Sequence, residues 1–357
     1  MLFIHGLDSY TGSSKVGAEV VKNFDDKDLI FINCKGGAFL KDSISKKNIF
    51  RNLSRYYLIN FILFQITGFI YILKNSKKYD IIFINALLPF LPLIATLLTR
   101  RVKVFQYIHE QKIMNPVLNF LCMSSTKIIK PRKLYSSYFL RDHHIKALGD
   151  GYVLNPFVSD DFFKITEKKI YDKKIILMVS SLKEYKGIKK FINISNRFSL
   201  TDPNLEFHLV LSCDPIDLDI YLKLNNLKIN NNLKIYFKPN NIIEIFNSST
   251  IVVNLTQRDK IIESFGLSLV EAIACCKPIL CPNIGGPLEI NKNEEFGFLI
   301  NERSEDDICD KLSKLVYDKK IYNEKKNACI KYRFKFDSET FKSKFNNIIN
   351  NYDYDKL

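Results

Sequence analysis

The stretch ESFGLSLVEAIACCKPILCPNIGGPLEI, residues 263–290, combines two glutamates eight positions apart with a glycine turn, and a second pair of glycines follows. It comes after TIVVNLT, residues 250–256, whose apolar and β-branched composition predicts a strand. Phe265 and Gly266 are therefore predicted to open a helix, where free backbone N–H groups and the positive end of the helix dipole suit a phosphate. Because glycine has no side chain, Gly266 would let such a ligand approach the backbone closely.

The two glutamates suit the hydroxyl groups that flank the phosphates of a nucleotide sugar. Glu271 lies about five residues into the predicted helix, at a rise of about 1.5 Å per residue, and its carboxylate can accept hydrogen bonds from a ribose diol. Glu263, on the loop before the helix, can reach hydroxyls on the other side of the phosphates. Since a nucleoside diphosphate sugar has this order of ribose, two phosphates and hexose, the stretch predicts a site for such a molecule.

Outward from this stretch, apolar segments alternate with longer amphipathic segments. Segments that are apolar throughout indicate strands covered on both faces, and their alternation with helices indicates parallel sheets with crossover helices. The predicted strands are residues 2–7, 29–34, 81–87, 103–109, 126–131, 152–156, 174–181, 206–213, 233–237, 250–256 and 277–282. The pattern predicts an α/β protein with two Rossmann-like, doubly wound domains, each binding its ligand at the carboxyl ends of the strands.

The domain boundary is predicted near Asn155 and Pro156, just before a charged segment. It separates an N-terminal domain of residues 1–155 from a C-terminal domain of residues 156–330, which contains the predicted nucleotide-sugar site. Residues 331–357 are predicted to form a C-terminal helix that packs back toward the N-terminal domain. A ligand is expected in the cleft between the two domains.

The pattern EXFGXXXXE, followed by an apolar run, a proline and GGXXE, resembles the signature of the retaining glycosyltransferases of family 4, which have the GT-B fold. The resemblance implies that Glu263 binds hydroxyls of the donor sugar, that Glu271 binds the nucleotide ribose, and that the glycine turn offers backbone amides to the diphosphate. It also implies an acceptor-side N-terminal domain that faces the C-terminal domain across a cleft. The likeness covers nearly the whole chain and is strongest between residues 174 and 300.

A second segment resembles another part of the same family's site. In MVSSLKEYKGIKKFI, residues 178–192, Lys186 matches the lysine that neutralises the leaving diphosphate. Ser180 or Ser181 stands where the family has an arginine. Lys183 is a candidate to replace that arginine, although a lysine cannot imitate the planar guanidinium fork.

In the first half, His109 ends a predicted strand and matches a histidine that relatives place opposite the donor sugar. The loop SYTGSSK, residues 9–15, occupies the place of a glycine turn that approaches donor and acceptor in relatives, and Gly12 is its direct support. The predicted catalytic residues are Glu263, His109 and Lys186. The predicted donor-binding residues are Gly12, Ser181, Lys183, Lys186, Glu263, Ser264, Phe265, Gly266, Leu267 and Glu271.

The chain carries 53 Lys and Arg against 38 Asp and Glu, a net charge of +15. Residues 1–150 hold 22 of the basic and 10 of the acidic side chains, so the first half is the basic half. This asymmetry predicts an anionic partner, either a nucleic acid or the negatively charged cytoplasmic leaflet of a membrane; a lysine-rich composition without such a partner is the alternative. With the glycosyltransferase resemblance, the expected partner is the membrane surface and not a nucleic acid. The eight cysteines lack zinc-site spacing and are predicted to be reduced, in a cytosolic protein.

One segment departs from the alternation of strands and helices. YYLINFILFQITGFIYIL, residues 56–73, is apolar enough for a transmembrane helix but short for a span, and it contains Asn60, Gln65 and Gly68. Basic residues flank it on both sides, namely Lys46, Lys47, Arg51, Arg55, Lys74, Lys77 and Lys78. The pattern is compatible with a helix buried in the protein and with a helix lying in the membrane interface, whereas a true span is the least favoured.

These features together predict a retaining glycosyltransferase that moves a sugar from a nucleoside diphosphate sugar to a hydroxyl of a lipid-linked or lipopolysaccharide glycan, in bacterial surface polysaccharide or capsule synthesis. No metal or other cofactor is required, because Lys186 and the amides around Gly266 and Leu267 would supply the positive charge. The enzyme is expected in the cytoplasm, peripherally on the inner face of the cell membrane. A sugar-nucleotide epimerase of the same fold and a catalytically silent sugar-nucleotide-binding protein stay open as alternatives.

Overall fold

The computed structural model describes residues 1–9, 12–22, 24, 27–33, 39–42, 48–50, 52, 54, 56–99, 102–164 and 174–351. The chain divides into two compact units, the first formed by Met1–Pro156 with Phe341–Leu357 and the second by Phe157–Thr340. Some residues named above lie outside the described part of the chain: Tyr10, Thr11, Lys46, Lys47, Arg51 and Arg55. Each unit contains one parallel sheet and its own buried core.

The first unit contains a six-stranded parallel sheet. Its strands are β1 (Leu2–Asp8), β2 (Asp28–Asn33), β3 (Ile81–Asn85), β4 (Lys103–Ile108), β5 (Arg132–Tyr135) and β6 (Tyr152–Val153). They lie in the order β2-β1-β3-β4-β5-β6. The connections run one way from β1 to β2 and the other way from β3 onward, so the direction of winding reverses between β1 and β3. Such a switch point is where doubly wound sheets bind ligands.

Helices cover both faces of this sheet. They are α1 (Gly12–Lys22), α2 (Phe39–Asp42), α3 (Tyr57–Asn75), α4 (Phe90–Ala95), α5 (Pro116–Ile129) and α6 (Tyr138–Leu148). Side chains alternate between the two faces along a strand, so Leu2 and Ile4 of β1 join a core with Phe61 and Phe64 of α3. Phe3, between them, stacks instead on Phe83 of β3.

The second unit contains another six-stranded parallel sheet. Its strands are β7 (Ile175–Ser180), β8 (Glu206–Leu211), β9 (Leu233–Phe237), β10 (Ile251–Val253), β11 (Ile279–Pro282) and β12 (Gly297–Ile300). They lie in the order β12-β11-β10-β7-β8-β9, so the switch point of this sheet lies between β7 and β10. The apolar strands are buried on both faces, as the sequence predicted: Ile176 belongs to one core and Leu177 to the other.

The helices of the second unit complete the doubly wound arrangement. They are α7 (Ile188–Thr201), α8 (Pro215–Leu224), α9 (Ile242–Ser248), α10 (Leu267–Ala274), α11 (Gly285–Ile290), α12 (Glu305–Tyr317), α13 (Lys319–Tyr332) and α14 (Ser338–Asn350). The division between the units falls within α14. In its first-unit part, Phe345 packs edge-on against Phe83 and Phe105, with ring centroids 5.6 Å apart in both pairs.

Two predicted elements differ from the structure, and strand β12 is an addition to the predicted set. The strand expected at residues 126–131 is wrong, because Thr126 to Ile129 form the last turn of α5 and the strand follows it as β5. Lys130 ends that helix in the left-handed conformation, with a φ of +51°. Strand β12 was not predicted, although it is as long as β11, which was. The helix expected over residues 331–357 begins at Ser338, after a short 3-10 turn.

Candidate active site

The turn after β7 carries the lysines predicted at the donor site. Its backbone closes on itself, since the N–H of Lys183 donates to Ser181 O at 2.8 Å and that of Lys186 donates to Lys183 O at 3.0 Å. Gly187 follows with a φ of +81°, and a Cβ there would lie 2.3 Å from the carbonyl oxygen of Leu255. Only glycine meets both demands, and it lets this turn lie directly against the residues that follow β10.

Lys186 and Glu263 form an ion pair across the switch point, with Nζ and Oε2 2.5 Å apart. The two residues are far apart in sequence but follow the neighbouring strands β7 and β10, whose carboxyl ends meet at one edge of the sheet. Thr256 Oγ1 donates to the same carboxylate oxygen at 3.1 Å, and the side chain of Asn254 also hydrogen-bonds to this carboxylate. The side chains of the pair are 22% and 21% exposed, so a ligand can reach both.

The surroundings of this pair keep both groups charged. Burial by itself would raise the pKa of the Glu263 carboxyl, but the charge of Lys186 and hydrogen bonds from Lys186, Thr256 and Asn254 outweigh it and hold that pKa below its usual value. Burial would lower the pKa of Lys186, and the charge of Glu263 outweighs it and holds the pKa above its usual value. A fixed cation and a fixed anion therefore stand side by side at neutral pH.

The residues after Glu263 lead straight into the predicted phosphate site. Ser264 and Phe265 precede Gly266, which has a φ of +103°, and α10 begins at Leu267. In its first turn the N–H of Leu269 donates to Gly266 O at 3.0 Å, whereas those of Leu267 and Ser268 point out of the start of the helix, where the helix dipole adds positive potential. Glu271 lies one turn further on the same side of α10 and is 3% exposed. The expected helix opening is therefore present, with both predicted glutamates beside it.

The glycine pair after β11 opens α11 and supports the segment that carries Glu263. The N–H of Gly286 donates to the carbonyl oxygen of Glu263 at 2.9 Å. A Cβ on Gly286 would lie 2.3 Å from Phe265 Cα and 2.5 Å from Ser264 O, so only a glycine allows this approach. The expectation that the glycine turn offers its amides to a diphosphate is corrected for Gly286, whose N–H is bound within the protein.

Several residues that hold this site together have no recognisable pattern in the sequence. Arg258 forms a bidentate ion pair with the buried Glu302, with Nε–Oε1 at 2.5 Å and Nη2–Oε2 at 2.8 Å. It ties the loop before Glu263 to the residues after β12. Nothing in the sequence links these two residues. Asn254 and Thr256 were detectable only as polar residues at the carboxyl end of the strand predicted at residues 250–256, where ligand sites lie. Lys183 is exposed and forms no ion pair with any described residue.

A second polar cluster lies at the switch point of the first sheet and contains His109. Asn85 Nδ2 donates to Ser13 O at 3.1 Å and lies 3.0 Å from His5 Nδ1, which is also 3.1 Å from the backbone oxygen of Asn85. Asn85 Oδ1 lies 2.8 Å from His109 Nε2. Since the amide oxygen can only accept, His109 carries its proton on Nε2 and keeps Nδ1 as an acceptor. His5 Nε2 lies 3.1 Å from Ser14 Oγ, near the start of α1, where Gly12 is exposed.

Burial sets the ionisation of this cluster. It lowers the pKa of His109 to about 3, with a further contribution from His5, and it lowers the pKa of His5 to about 4. Both imidazoles are therefore neutral at physiological pH. Burial also raises the pKa of Glu110 to about 7, although the N–H groups of His109 and Leu87 donate to its carboxylate.

Replacing Glu110 with glutamine is expected to stabilise the protein at high pH but not at low pH. The raised pKa means that Glu110 ionises less readily in the folded state than in the unfolded state. The stability contributed by its neutral form is therefore present below its ordinary pKa of 4.5, and it is lost as pH rises through its folded-state pKa of about 7. At pH 8 the free energy of unfolding of Glu110→Gln should exceed that of the wild type by about 2 kcal/mol. Denaturant unfolding at pH 4.5 and 8 measures this, with the exposed Glu244→Gln as control. A difference that does not change with pH would contradict the prediction.

The second unit also contains the match to a known family. Residues 160–336 match the model described as "Glycosyl transferases group 1". The matched region contains both predicted glutamates, Lys186 and the start of α10. Residues 160–336 belong to the glycosyl transferases group 1 family. The group 1 region thus includes every residue of the site built above on β7, β10 and α10.

Comparisons of sequence and of structure also find similar proteins. The chain is 23% identical over 217 residues to N-acetyl-alpha-D-glucosaminyl L-malate synthase of Bacillus anthracis, covering 60% of this chain and 53% of that protein. The matched part therefore spans about half the length of that relative. The structure of Anabaena HepE in complex with UDP and glucose superimposes with a TM-score of 0.79 at 16% identity, covering 98% of this chain and 99% of that one.

A further solved structure has a similar fold. It is the apo form of WaaB, named as a lipopolysaccharide outer core galactosyltransferase, with a TM-score of 0.67 at 15% identity and complete coverage of both chains. At such identities the likeness shows the fold alone. Together with the two doubly wound sheets, it confirms the predicted GT-B fold class.

Proposed function

We propose that this protein is a retaining glycosyltransferase that moves a sugar from a nucleoside diphosphate sugar to a hydroxyl of a glycan acceptor. The observation that carries the proposal is the ion pair of Lys186 and Glu263 at the switch point, next to the start of α10. Such an arrangement offers positive charge for a diphosphate and a carboxylate for sugar hydroxyls within one small region.

The chemistry needs positive charge where the leaving diphosphate forms. An ammonium group has three N–H donors, and Glu263 takes one from Lys186, which leaves two for phosphate oxygens. The N–H groups at the start of α10 add further donors in fixed positions. Because this positive charge belongs to the chain, we propose that the reaction needs no metal. Glu271, a turn into α10, is then suited to the ribose hydroxyls.

The other predicted residues are proposed to contact different parts of the donor. Ser264, Phe265, Gly266 and Leu267 form the backbone that meets the diphosphate. His109 lies at the corresponding edge of the first sheet, and the family resemblance assigns it to the donor sugar; its unprotonated Nδ1 suits it to accept from a hydroxyl. Ser181, Lys183 and Gly12 are proposed as further contacts of the donor: Ser181 lies in the turn after β7, Lys183 is exposed in that turn, and Gly12 is exposed at the start of α1.

The acceptor is proposed to be a lipid-linked or lipopolysaccharide glycan, handled by a cytoplasmic enzyme at the inner face of the cell membrane. The basic first half supports this, and one structure of similar fold is named for transfer to the lipopolysaccharide outer core. A nucleoside diphosphate donor is supported by another, which was solved with UDP and glucose.

A transfer assay tests the proposal. The full chain is incubated with a panel of UDP-, GDP- and ADP-sugars, first alone and then with lipid-linked glycan extracts. We expect one donor to raise the melting temperature and to lose its sugar to the acceptor, with the anomeric configuration of the donor kept in the product by NMR. Glu263→Gln should lower this transfer at least tenfold, and a chelator should leave it unchanged.

Three outcomes would contradict the proposal in different ways. Conversion of the donor without an acceptor would identify an epimerase. Donor binding without any turnover would identify a sugar-nucleotide-binding protein. Inversion of the anomeric configuration would still identify a transferase, but it would exclude the retaining mechanism.

A further inference from the structure

Helix α3 has two apolar faces, and only one of them is covered. Its polar side chains point inward. Gln65 is 2% exposed; its side chain donates to Leu88 O at 2.8 Å and accepts from the N–H of Leu91 at 3.1 Å. Asn60 is 4% exposed and hydrogen-bonds to the backbone of Ser54. The outward side chains are apolar and 42–65% exposed: Leu58, Ile59, Ile62, Ile66, Ile70 and Leu73. The polar residues that argue against a membrane helix in the sequence are therefore all on the buried side.

The exposed apolar face continues across the neighbouring elements. α4 packs against both α3 and α5, and the right-handed crossovers place these helices on the same face of the sheet. The turn after α4 and the outer side of α5 also present large apolar side chains that are 58–71% exposed: Leu97, Leu98, Val117, Phe120 and Ile128. We call the outward side chains of these segments and of α3 the apolar surface. Monomeric soluble proteins rarely leave such a continuous surface in water.

The charge around the apolar surface identifies what covers it. Residues 43–141 contain 16 Lys and Arg but only two acids, Asp80 and Glu110, a net charge of +14 in a chain whose total is +15. Exposed lysines lie at the ends of α3 and α5, namely Lys74, Lys77, Lys78, Lys127 and Lys130. A second copy of this surface would carry the same charge and repel it. Nucleic acid would neutralise the lysines but leave the apolar side chains in water, whereas an anionic lipid surface neutralises the lysines and buries the apolar side chains.

We propose that the apolar surface docks on an anionic lipid bilayer, with α3 lying in the plane of the interface. The helix Tyr57–Lys78 is long and apolar enough to cross a membrane by length and composition. Its inner side chains Phe61, Phe64 and Ile72 belong to the core of the first unit, so the docked helix keeps that packing and inserts only its outer side chains. The lysines at the helix ends then lie among the lipid head groups. This inference deepens the membrane location in the proposed function and does not depend on the transfer reaction.

Vesicle binding by the full chain tests the inference. We expect the protein to co-sediment with vesicles of phosphatidylcholine and phosphatidylglycerol, to bind pure phosphatidylcholine at least about tenfold more weakly, and to lose binding as salt is raised. The double variant Ile62→Gln with Ile66→Gln should bind anionic vesicles at least about tenfold more weakly than the wild type. Lys77→Ala with Lys78→Ala should also weaken binding about tenfold, and chiefly at low salt.

The matched control removes two apolar side chains of the second unit that are even more exposed than Ile62 and Ile66. Leu200→Gln with Leu224→Gln, at positions that are 85% and 81% exposed, should bind vesicles as the wild type does. Circular dichroism and a thermal shift with the nucleotide donor show whether each variant is folded and still binds at its active site. The inference is overturned if the wild type does not bind anionic vesicles or if the α3 variant binds them as tightly as the wild type does. It is also overturned if light scattering shows that the wild type is a dimer and the α3 variant a monomer, since a second copy of the chain would then cover the apolar surface.

Discussion

Replacing Lys186 with alanine is expected to lower kcat for sugar transfer by about 100-fold or more. The variant removes the cation that is held 2.5 Å from the carboxylate of Glu263, at the point where the leaving diphosphate is proposed to form. Because that carboxylate is largely buried, the loss of its partner should also destabilise the fold by about 2 kcal/mol. Steady-state kinetics and denaturant unfolding measure the two effects separately.

Lys183→Ala is the matched control, because it removes the same charge from the same turn without breaking an ion pair of the described residues. Its effect on kcat should be less than about tenfold, with no change in stability. A double-mutant cycle of Lys186→Ala with Glu263→Ala should give a coupling energy of about 1–3 kcal/mol in stability. Equal losses for the two lysine variants, or no coupling, would show that the pair is not the centre of the site.

Replacing Gly286 with alanine is expected to displace the segment that carries Glu263. The new methyl group would lie 2.3 Å from Phe265 Cα and 2.6 Å from Phe265 N, and these are backbone atoms that no rotamer change can move away. The free energy of unfolding should fall by about 2 kcal/mol, which corresponds to a melting temperature lower by about 6 °C. Since the start of α10 follows directly, kcat/KM for the donor should fall about 100-fold.

Gly12→Ala is the control for stability, because a Cβ at Gly12 meets no atom within 4 Å. It should leave the melting temperature unchanged. Calorimetry compares the two variants, and donor titration shows whether the displaced segment still binds. A Gly286→Ala protein with unchanged stability and donor affinity would mean that α11 does not support the site.

Much of the fold follows from local patterns that the sequence contains. Strands such as β1 and β8 are apolar throughout because both of their faces are buried, and this can be recognised without knowing their neighbours. The start of α10 was predictable for the same local reason, since Gly266 separates a loop from an apolar helical run. At residues 126–131 the local pattern fails, because two isoleucines between lysines suit a helix end and a strand equally well.

The site itself was only partly predictable. Glu263, Glu271 and Lys186 were found from spacing and family resemblance, and the structure places Lys186 against Glu263. Arg258 and Glu302 were not found, since two residues 44 positions apart pair only after the strands that precede them have been ordered in a sheet. The neutral state of His109 could not be predicted either, because it results from burial beside Asn85 and His5.

By itself, the sequence determined that the chain forms two doubly wound sheets, that a helix opens at Gly266, and that an apolar segment lies at residues 56–73. Those features depend on composition and periodicity over a few turns of chain. Tertiary structure alone decided that Lys186 meets Glu263, that Gly286 is bound to the segment it supports, and which face of α3 stays exposed. Each of these depends on which distant segments become neighbours, and the order of strands in a sheet is what brings them together.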